Sequence, residues 1–499
     1  MNCIRRCSPV TLFLLLIAVM SAAAAERHQP NIVLILADDL GYGDIGCYGQ
    51  RQIRTPNIDR LAAEGMRFTH FYAGASVCAP SRCVLMTGKH GGHARVRGNA
   101  PAAQRLRQSL AREDVTVAEL LKGAGYATAL VGKWGLGDFD TPGHPLEQGF
   151  DFFFGYLDQV HAHMYFPEWV WRNREKMALP NRVRPIPVGK EGAWGSGGIA
   201  IKGVAYSPKL MLDEAMQFIE RNKARPFFLY FATTIPHANN EAAKELGNGA
   251  EVPDLGPYAD RPWPEPEKGY AAMISYLDAQ VGSILEKLKA LGIDENTLVL
   301  FSSDNGPEKK EFTGYDTRFF TSSGPYRGFK RDHTDGGIRV PFIARWPKRI
   351  EAGSVSEHVG YFGDFLATAA ELGGAETPTG LDGISLVPTL LGREGEQRSH
   401  EFIYWEYHGG GANDSQAGLM GERWKAIRTG GRNAPLALYD LKDDIAEANN
   451  VAQQHPEIVT KLNACLAGAR VDSPDWPLFR APIQKRVVPK KLPQNTRAK

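Results

Sequence analysis

The chain has 499 residues, of which 43% are apolar and 23% are charged, and its formal net charge is +2. These values are close to those of ordinary globular proteins, and they exclude wholesale disorder, a collagen-like repeat and a polytopic membrane protein. The charge balance also argues against a protein that binds nucleic acid, because such proteins normally carry a strong basic excess.

The small net charge is the sum of two basic ends and an acidic body. Residues 1–25 hold two arginines and no acid, and residues 480–499 hold seven basic residues and no acid. The remaining segment has 49 basic residues against 56 acidic ones, a net charge of −7. We interpret residues 481–499 as a basic tail, which we expect to lie on the acidic body.

The first 25 residues have the pattern of a signal peptide. Arg5 and Arg6 precede an apolar run over residues 10–20, and alanines at 22–25 provide the small residues of a cleavage site. The sequence therefore predicts an exported protein, periplasmic or secreted, with no membrane span after cleavage near Glu26. An uncleaved membrane anchor is the alternative interpretation.

Short apolar runs then alternate with helical patterns up to about residue 390. This alternation is typical of an α/β fold with a largely parallel sheet. The predicted strands are 31–37, 127–131, 227–232 and 297–301, and the predicted helices are 55–61, 116–123, one that begins at Ser207, and 270–291.

The pattern changes after residue 390. Three short strands, 402–407, 424–428 and 436–439, are followed by a helix predicted over 456–466. We therefore predict a catalytic α/β domain over 26–392 and a small C-terminal α+β subdomain with an antiparallel sheet over 393–480.

Polar side chains follow each of the four predicted strands of the first domain. In open α/β sheets, ligands bind beyond the carboxyl ends of the strands. The residues at these strand ends are Asp38 and Asp39, Lys133, His237, and Asp304 with Asn305. Their carboxylate and amide oxygens suit Ca²⁺ or Mg²⁺ better than zinc. Turn formation is the alternative for each acidic pair taken alone, because Asp and Asn are common in turns.

The sharpest local pattern is the segment around Cys78. Pro80 suits the first turn of a helix, so Cys78 is predicted at or just before a helix N-terminus, where backbone N–H groups favour an anion. Arg82 adds a positive charge one turn later. Ordinary packing is the alternative for a cysteine considered alone.

Cys78-Ala79-Pro80-Ser81-Arg82 resembles the signature of the formylglycine-dependent (type I, arylsulfatase A-like) sulfatases of the alkaline phosphatase superfamily. Further segments match blocks of that family in the same order, and they are residues 38–44, 132–134, 304–306, 336–341 and 439–450. The resemblance implies an alkaline phosphatase-like fold, with a large mixed, mostly parallel sheet flanked by helices. It also implies a sulfuric ester hydrolase.

The same resemblance implies a set of roles. Cys78 would be oxidised to formylglycine (3-oxoalanine) by a sulfatase-maturing enzyme that recognises Pro80 and Arg82. The hydrated aldehyde would attack sulfur on Ca²⁺ and form a covalent sulfated intermediate. Calcium would be held by Asp38, Asp39, Asp304, Asn305 and the modified Cys78. The sulfate would be bound by Arg82, Lys133 and Lys330, with His237 contacting the sulfate or protonating the leaving oxygen. A solvated surface lysine is the alternative for Lys133 and Lys330.

One position departs from the family pattern. Most relatives have a histidine after Gly-Lys-Trp, and this chain has Gly135. That histidine is associated with breakdown of the intermediate, so this step has no assigned residue here. The histidines that could substitute are His90, His93, His144, His161 and His163.

Aromatic and histidine residues concentrate at 161–172 and 404–408, which favours a sulfated saccharide as substrate, with His161, His163 and His408 as its contacts. Core packing is the alternative for these aromatic residues. Two other functions stay open: a phosphate or phosphonate monoester hydrolase of the same superfamily, and a non-catalytic glycan-binding relative, which only Gly135 favours.

Overall fold

The computed structural model describes residues 29–479, so the predicted signal peptide (1–25) and basic tail (481–499) lie outside the described residues. The strands are β1 Asn31–Ala37, β2 Met66–Phe68, β3 Phe71–Tyr72, β4 Ala127–Lys133, β5 Phe152–Tyr156, β6 Trp169–Arg172, β7 Glu175–Ala178, β8 Arg182–Pro187, β9 Ser196–Lys202, β10 Phe227–Ala232, β11 Thr297–Ser303, β12 Phe342–Arg345, β13 Ser354–Ser356, β14 Gly360–Tyr361, β15 Phe402–Tyr407, β16 Ser415–Met420, β17 Trp424–Thr429 and β18 Ala437–Asp440.

The α-helices are α1 Pro56–Ala63, α2 Cys78–Thr87, α3 Val117–Gly123, α4 Ser207–Asn222, α5 Asn240–Leu246, α6 Glu265–Ala290, α7 Lys310–Thr313, α8 Asp335–Ile338, α9 Asp364–Gly373, α10 Val387–Leu390 and α11 Pro456–Gly468. Within residues 29–479, none of these helices has the length and apolar character needed to cross a membrane.

Ten strands form the central sheet, in the order β13-β2-β12-β11-β1-β10-β4-β5-β6-β7. The five central strands, β11, β1, β10, β4 and β5, are parallel, and antiparallel strands flank them on both sides. The predicted mixed, mostly parallel sheet is therefore confirmed. Because β1 pairs with both β10 and β11, the carboxyl ends of these strands lie at one edge of the sheet.

The apolar run of β1 is buried on both faces, as is usual for a central parallel strand. Ile32 and Leu34 pack on one face with residues of α2, α3 and α9. Val33 and Ile35 pack on the other face with residues of α1, α4 and α6. The two cores hold the sheet rigidly between helical layers, so the polar residues that follow its strands have fixed positions.

The C-terminal region forms a second, antiparallel sheet of β15, β16, β17 and β18. Leu462 and Leu466 of α11 pack in a small core against this sheet. The predicted small antiparallel sheet is therefore confirmed, although β16 was not expected from the sequence. Several predicted boundaries were wrong, and the largest differences are that β4 continues to Lys133, β11 continues to Ser303, and α6 begins at Glu265 rather than at Tyr270.

A buried charge network joins the C-terminal sheet to the main domain. Lys425 Nζ lies 2.5 Å from Asp335 Oδ1 and 3.1 Å from Glu447 Oε1. Arg339 Nη1 donates to Asp335 Oδ2 at 3.0 Å, and the backbone N–H of Asp335 donates to Glu447 Oε2 at 2.6 Å. Because these side chains are buried, each charge depends on its partner in this network.

We expect Lys425→Met to lower the free energy of unfolding by about 3 kcal/mol, because it leaves two buried carboxylates with one cation. Urea unfolding followed by circular dichroism measures this loss. Lys442→Met, an exposed lysine of the same subdomain, is the matched control and is expected to change stability by less than about 0.5 kcal/mol. Equal losses in the two variants would contradict a special role for the network.

Candidate active site

Two acidic turns lie side by side at the carboxyl edge of the sheet. The backbone N–H of Asp38 donates to Ile235 O at 3.0 Å, and that of Asp304 donates to Ala37 O at 3.1 Å. Asp39 has φ 64°, a left-handed conformation that is uncommon for a residue other than glycine. These contacts fix the turns that follow β1 and β11, so their carboxyl groups converge in one buried region.

Cys78 is the first residue of α2, and its Sγ lies 3.5 Å from Asp38 Oδ1. The helix start is held by Ser81, whose Oγ accepts from the N–H of Gly74 at 3.1 Å. Burial raises the pKa of the Cys78 thiol to about 12, although Lys133 and Lys330 act in the opposite direction. The unmodified side chain is therefore a neutral thiol at pH 7 and a poor nucleophile.

Arg82, one turn further along α2, connects three strand ends. Its Nε and Nη2 donate to Asp304 Oδ2 at 3.0 and 2.8 Å, and its Nη1 donates to Lys133 O at 2.6 Å. Its Nη2 also lies 3.4 Å from Asp38 Oδ2. The guanidinium is fully buried, so these bonds fix its position.

Two buried lysines pair with the first acidic turn. Lys133 Nζ lies 2.6 Å from Asp38 Oδ2, and Lys330 Nζ lies 2.8 Å from Asp39 Oδ2. With Arg82, they place three cations against the three carboxylates of Asp38, Asp39 and Asp304. The formal charges of these six side chains therefore sum to about zero.

The carboxyl groups differ in how they respond to this environment. Burial acts to raise the pKa of Asp38, but the charges of Lys133 and Arg82 outweigh it and hold that pKa well below its usual range. Burial and the negative charge of Asp38 raise the pKa of Asp304 above its usual range. The negative charge of Asp38 therefore disfavours the ionised form of Asp304. An additional cation between the two carboxylates would favour that form.

His237 reaches the same region from the turn after β10. Its Nδ1 lies 2.8 Å from Ala238 O, and its Nε2 lies 3.5 Å from Asp39 Oδ2. Burial and the neighbouring Lys330 charge lower the pKa of His237 well below its usual value. Because a carbonyl oxygen can only accept, Nδ1 carries a proton and donates it to Ala238 O, while Nε2 lies on the side of Asp39.

The donor atoms of this region fit a bound cation. Donor atoms of Asp38, Asp39, Cys78 and His237 all lie within 4.8 Å of one another. Asn305 donates through Nδ2 to Asp39 Oδ1 at 2.7 Å, whereas its buried Oδ1 has no hydrogen-bond partner among the described residues. A buried carbonyl oxygen without a donor beside carboxylate oxygens is a set that a hard divalent cation satisfies.

Glu308 is a buried residue of this region that the sequence analysis did not identify. Its Oε2 lies 3.9 Å from Lys330 Nζ, and the same oxygen is paired with Arg331 Nη1. It follows Asp304 and Asn305 by only a few residues. Its position just after the acidic turn that follows β11 is the sequence signal that points to it.

The comparisons with known proteins agree with this geometry. The family model described as Sulfatase matches residues 30–375, and the model described as N-sulphoglucosamine sulphohydrolase, C-terminal, matches residues 326–472. The chain belongs to the sulfatase family. The predicted family and the predicted enzyme class, a sulfuric ester hydrolase, are therefore confirmed.

Similar sulfatases are found among sequences and solved structures. N-acetylgalactosamine-6-sulfatase of Rattus norvegicus is 37% identical over 404 residues, which cover 76% of this chain and 69% of that protein. Arylsulfatase A of Homo sapiens is 36% identical over 502 residues, which cover 90% of this chain and 89% of that protein. The crystal structure of Ps i-CgsB in complex with k-i-k-neocarrahexaose has a TM-score of 0.70 and 27% identity, and it covers 87% of this chain and 91% of that one.

In this sulfatase, the side chain of Gln159, in the turn after β5, lies against Gly135, the position at which most relatives have a histidine. Gly135 has φ +81°, and a Cβ placed on it would lie 1.9 Å from Gln159 Nε2. The amide nitrogen of Gln159 is buried and has no hydrogen-bond partner among residues 29–479. The sequence analysis missed Gln159 because it did not include β5, the strand that Gln159 follows.

Of the histidines considered as substitutes, only His163 is found in contact with the centre. Its ring stacks on His237 with centroids 5.0 Å apart, and its Nδ1 lies 3.1 Å from Glu241 Oε2. The others lie elsewhere: His90 and His93 beside Asp382 beyond the end of α2, His144 against Phe153, and His161 against Trp169.

His408, expected as a substrate contact, packs within the C-terminal region. Its Nε2 lies 2.8 Å from Glu406 Oε1, and its ring packs against Trp476. Its side chain is buried by these contacts, which leaves little of it available to a ligand.

We expect Gly135→His to lower the melting temperature by several degrees, because a left-handed φ costs about 1–3 kcal/mol for other residues and the new Cβ would clash with Gln159. Gly125→His is the matched control, since Gly125 has φ +94° with no atom near its Cβ position. Comparing the melting temperatures of the two variants separates the cost of the left-handed φ from the cost of the clash with Gln159. A second substitution, Gln159→Ala, should restore part of the loss at 135, and no recovery would contradict the proposed clash.

Proposed function

We propose that this sulfatase hydrolyses sulfate esters of saccharides at the Cys78 centre, after conversion of Cys78 to formylglycine and with Ca²⁺ as its metal. One observation carries the proposal: a buried thiol, three carboxylates, an amide oxygen without a donor and three cations converge at one edge of the sheet. Oxygen ligands suit a metal, and fixed cations suit a tetrahedral anion.

Calcium is the metal we infer, because the donors at this centre are mainly oxygens, with a single histidine and a single cysteine among them in residues 29–479. The residues that would hold it are Asp38, Asp39, Asp304 and Asn305, with the modified side chain at position 78. A bound divalent cation supplies positive charge that favours the deprotonated form of an oxygen nucleophile.

The state of Cys78 supports its conversion. Because burial raises the pKa of the thiol to about 12, the unmodified cysteine supplies almost no thiolate at neutral pH. The hydrated aldehyde of formylglycine supplies a hydroxyl group at the same position. The N-terminal turn of α2 presents this side chain to Asp38, and Arg82 on the same helix keeps its own position through Asp304.

The cations are placed to bind the ester and the charge that develops on it. Lys133 Nζ and Lys330 Nζ lie beside the two carboxylates nearest the thiol, so each can donate to a sulfate oxygen that enters between them. His237 holds its proton at Nδ1 through Ala238 O. Its Nε2 is left to accept a hydrogen bond from a donor in the centre, or to take up a proton and pass it to the leaving oxygen.

The saccharide part of the proposal has two supports. One relative is an N-acetylgalactosamine-6-sulfatase, and one similar solved structure is a complex with a neocarrahexaose. Aromatic side chains also line a cavity next to the Lys330 segment, among them Phe312, Tyr407 and Tyr439. Aromatic faces with polar neighbours are well suited to sugar rings.

We further propose that the protein is exported, as the composition of residues 1–25 indicates. The proposed conversion of Cys78 to formylglycine also requires a sulfatase-maturing enzyme in the producing cell.

The function is tested with protein produced together with a sulfatase-maturing enzyme. We expect hydrolysis of 4-nitrophenyl sulfate, and mass spectrometry of the peptide with Cys78 should show an aldehyde in place of the thiol. Cys78→Ala is expected to lower the rate at least about 10³-fold, because it removes the nucleophile. Faster hydrolysis of 4-nitrophenyl phosphate would instead indicate a phosphate monoester hydrolase.

Cys83→Ala is the matched control for this experiment. Cys83 lies on the same helix, but its side chain is buried in the hydrophobic core. We expect this variant to retain most of the activity with a modest loss of stability. A matured protein that carries the aldehyde but hydrolyses neither ester would contradict the proposal and favour a non-catalytic protein.

Calcium should stabilise the fold through the same residues. At about a hundredfold excess over its Kd, Ca²⁺ is expected to raise the free energy of unfolding by about 2.7 kcal/mol. Asn305→Ala should reduce this increase, because it removes the buried oxygen that lacks a donor. Differential scanning calorimetry with and without a chelator measures the effect. The exposed Asn449→Ala is the control, and a calcium response equal in both variants would contradict the assignment of Asn305.

A further inference from the structure

A cavity of about 720 Å³ lies between the segment that carries Lys330 and the C-terminal sheet. Its volume is within the usual range of ligand sites. We propose that this cavity binds a second, anionic unit of an oligosaccharide substrate, with Arg327 as the contact for its carboxylate group. The inference rests on the proposed function and adds to it a preference for saccharides that carry more than one negative charge.

The cavity is adjacent to the centre. Arg331, which lines the cavity, and Lys330, which faces Asp39, are both held by Glu308 Oε2. The backbone N–H of Arg331 also donates at 2.8 Å to the carbonyl of Ser76, two residues before Cys78. The carboxylate of Glu308 thus lies between Arg331, in the wall of the cavity, and Lys330, a cation of the centre. A neighbouring sugar unit of a bound ester is therefore close enough to enter the cavity.

The charges of the lining favour an anion. Four charged residues line the cavity: Lys309, Arg327, Arg331 and Asp332. Lys309 is paired with Asp332 at 3.4 Å, and Arg331 is paired with Glu308. Arg327 is exposed and, among the described residues, forms no salt bridge, although its charge helps to lower the pKa of the nearby Asp444 carboxyl group. It is therefore the cation of this lining that is available to a ligand.

Arg327 is also supported in position by an aromatic ring. Its guanidinium carbon lies 5.2 Å from the ring centroid of Tyr439, and that of Arg331 lies 4.4 Å from the ring centroid of Phe312. Such stacking leaves the N–H groups at the edge of the guanidinium available, and their planar arrangement matches the oxygens of a carboxylate or sulfate. Tyr407 adds a further aromatic side chain to the lining.

A second cavity, of about 460 Å³, is less suited to an anion. It contains His161, Trp169 and Trp171, the aromatic group that the sequence analysis associated with substrate. Its charged lining residues are the three acids Asp138, Asp158 and Glu168 and the single cation Lys176, whose Nζ lies 4.0 Å from the Trp169 ring centroid. The excess of carboxylates opposes the entry of a polyanionic saccharide.

The test compares two saccharides that differ only in charge. One is a tetrasaccharide of alternating uronic acid and 6-O-sulfated N-acetylgalactosamine, and the other is the same compound with its carboxyl groups reduced to alcohols. Each is used as a competitive inhibitor of 4-nitrophenyl sulfate hydrolysis by the matured enzyme. We expect the charged compound to bind about tenfold more tightly, the effect of one charge-assisted contact.

Arg327→Gln should bring this ratio of inhibition constants close to one, whereas Arg327→Lys should preserve most of it. The matched control is Arg261→Gln, an exposed arginine that also stacks on an aromatic ring, Trp263, and should keep the wild-type ratio. A ratio that survives in Arg327→Gln, or that falls instead in Lys176→Gln, would overturn the proposal. If the matured wild-type protein does not hydrolyse the ester, the proposed function fails, and the same ratio is then obtained from calorimetric dissociation constants.

Discussion

The burial of three carboxylates at one edge of the sheet is the constraint on which the rest of this structure depends. Asp38, Asp39 and Asp304 are almost fully removed from water, which is unfavourable for charged groups without partners. Arg82, Lys133 and Lys330 provide those partners, each from a different element of the fold. The parallel pairing of β1 with β10 and β11 brings the acidic turns and His237 together, and the two cores around the sheet keep them there.

The C-terminal sheet contributes to this arrangement through a short segment of the chain. Lys330 belongs to the same stretch as Asp335, and Asp335 is bound to Lys425 of β17. A buried ion pair adds little to stability, because desolvation of both charges offsets their attraction. It does fix the relative positions of the two side chains, because burying either charge without the other costs free energy. The small sheet therefore holds in place the segment that supplies Lys330, and it also forms one wall of the cavity beside the centre.

Most of the centre could be anticipated from the sequence because its residues follow continuous apolar strands. Asp38 and Asp39 follow a strand that is buried on both faces, and such strands are recognisable without any knowledge of their neighbours. The ends of β4 and β11 were placed too early, because Lys133 and Ser303 are polar residues that the strands nevertheless bury. Gln159 could not be anticipated in the same way. Its significance lies in its contact with Gly135, which depends on the packing of β5 against β4 and not on a local pattern.

The local charges also explain how a protein with an acidic body can act on an anionic ester. The body of the chain has a net charge of −7, yet three carboxylates at the centre are each paired with one of three cations. In a buried site the nearest charges dominate, because interactions between distant surface charges are screened by water and salt. The three carboxylates already balance the three side-chain cations. A bound divalent cation would therefore give the centre an excess of about two positive charges. The lysines and Arg82 would then hold an anion at a centre that is positive, whatever the sign of the outer surface.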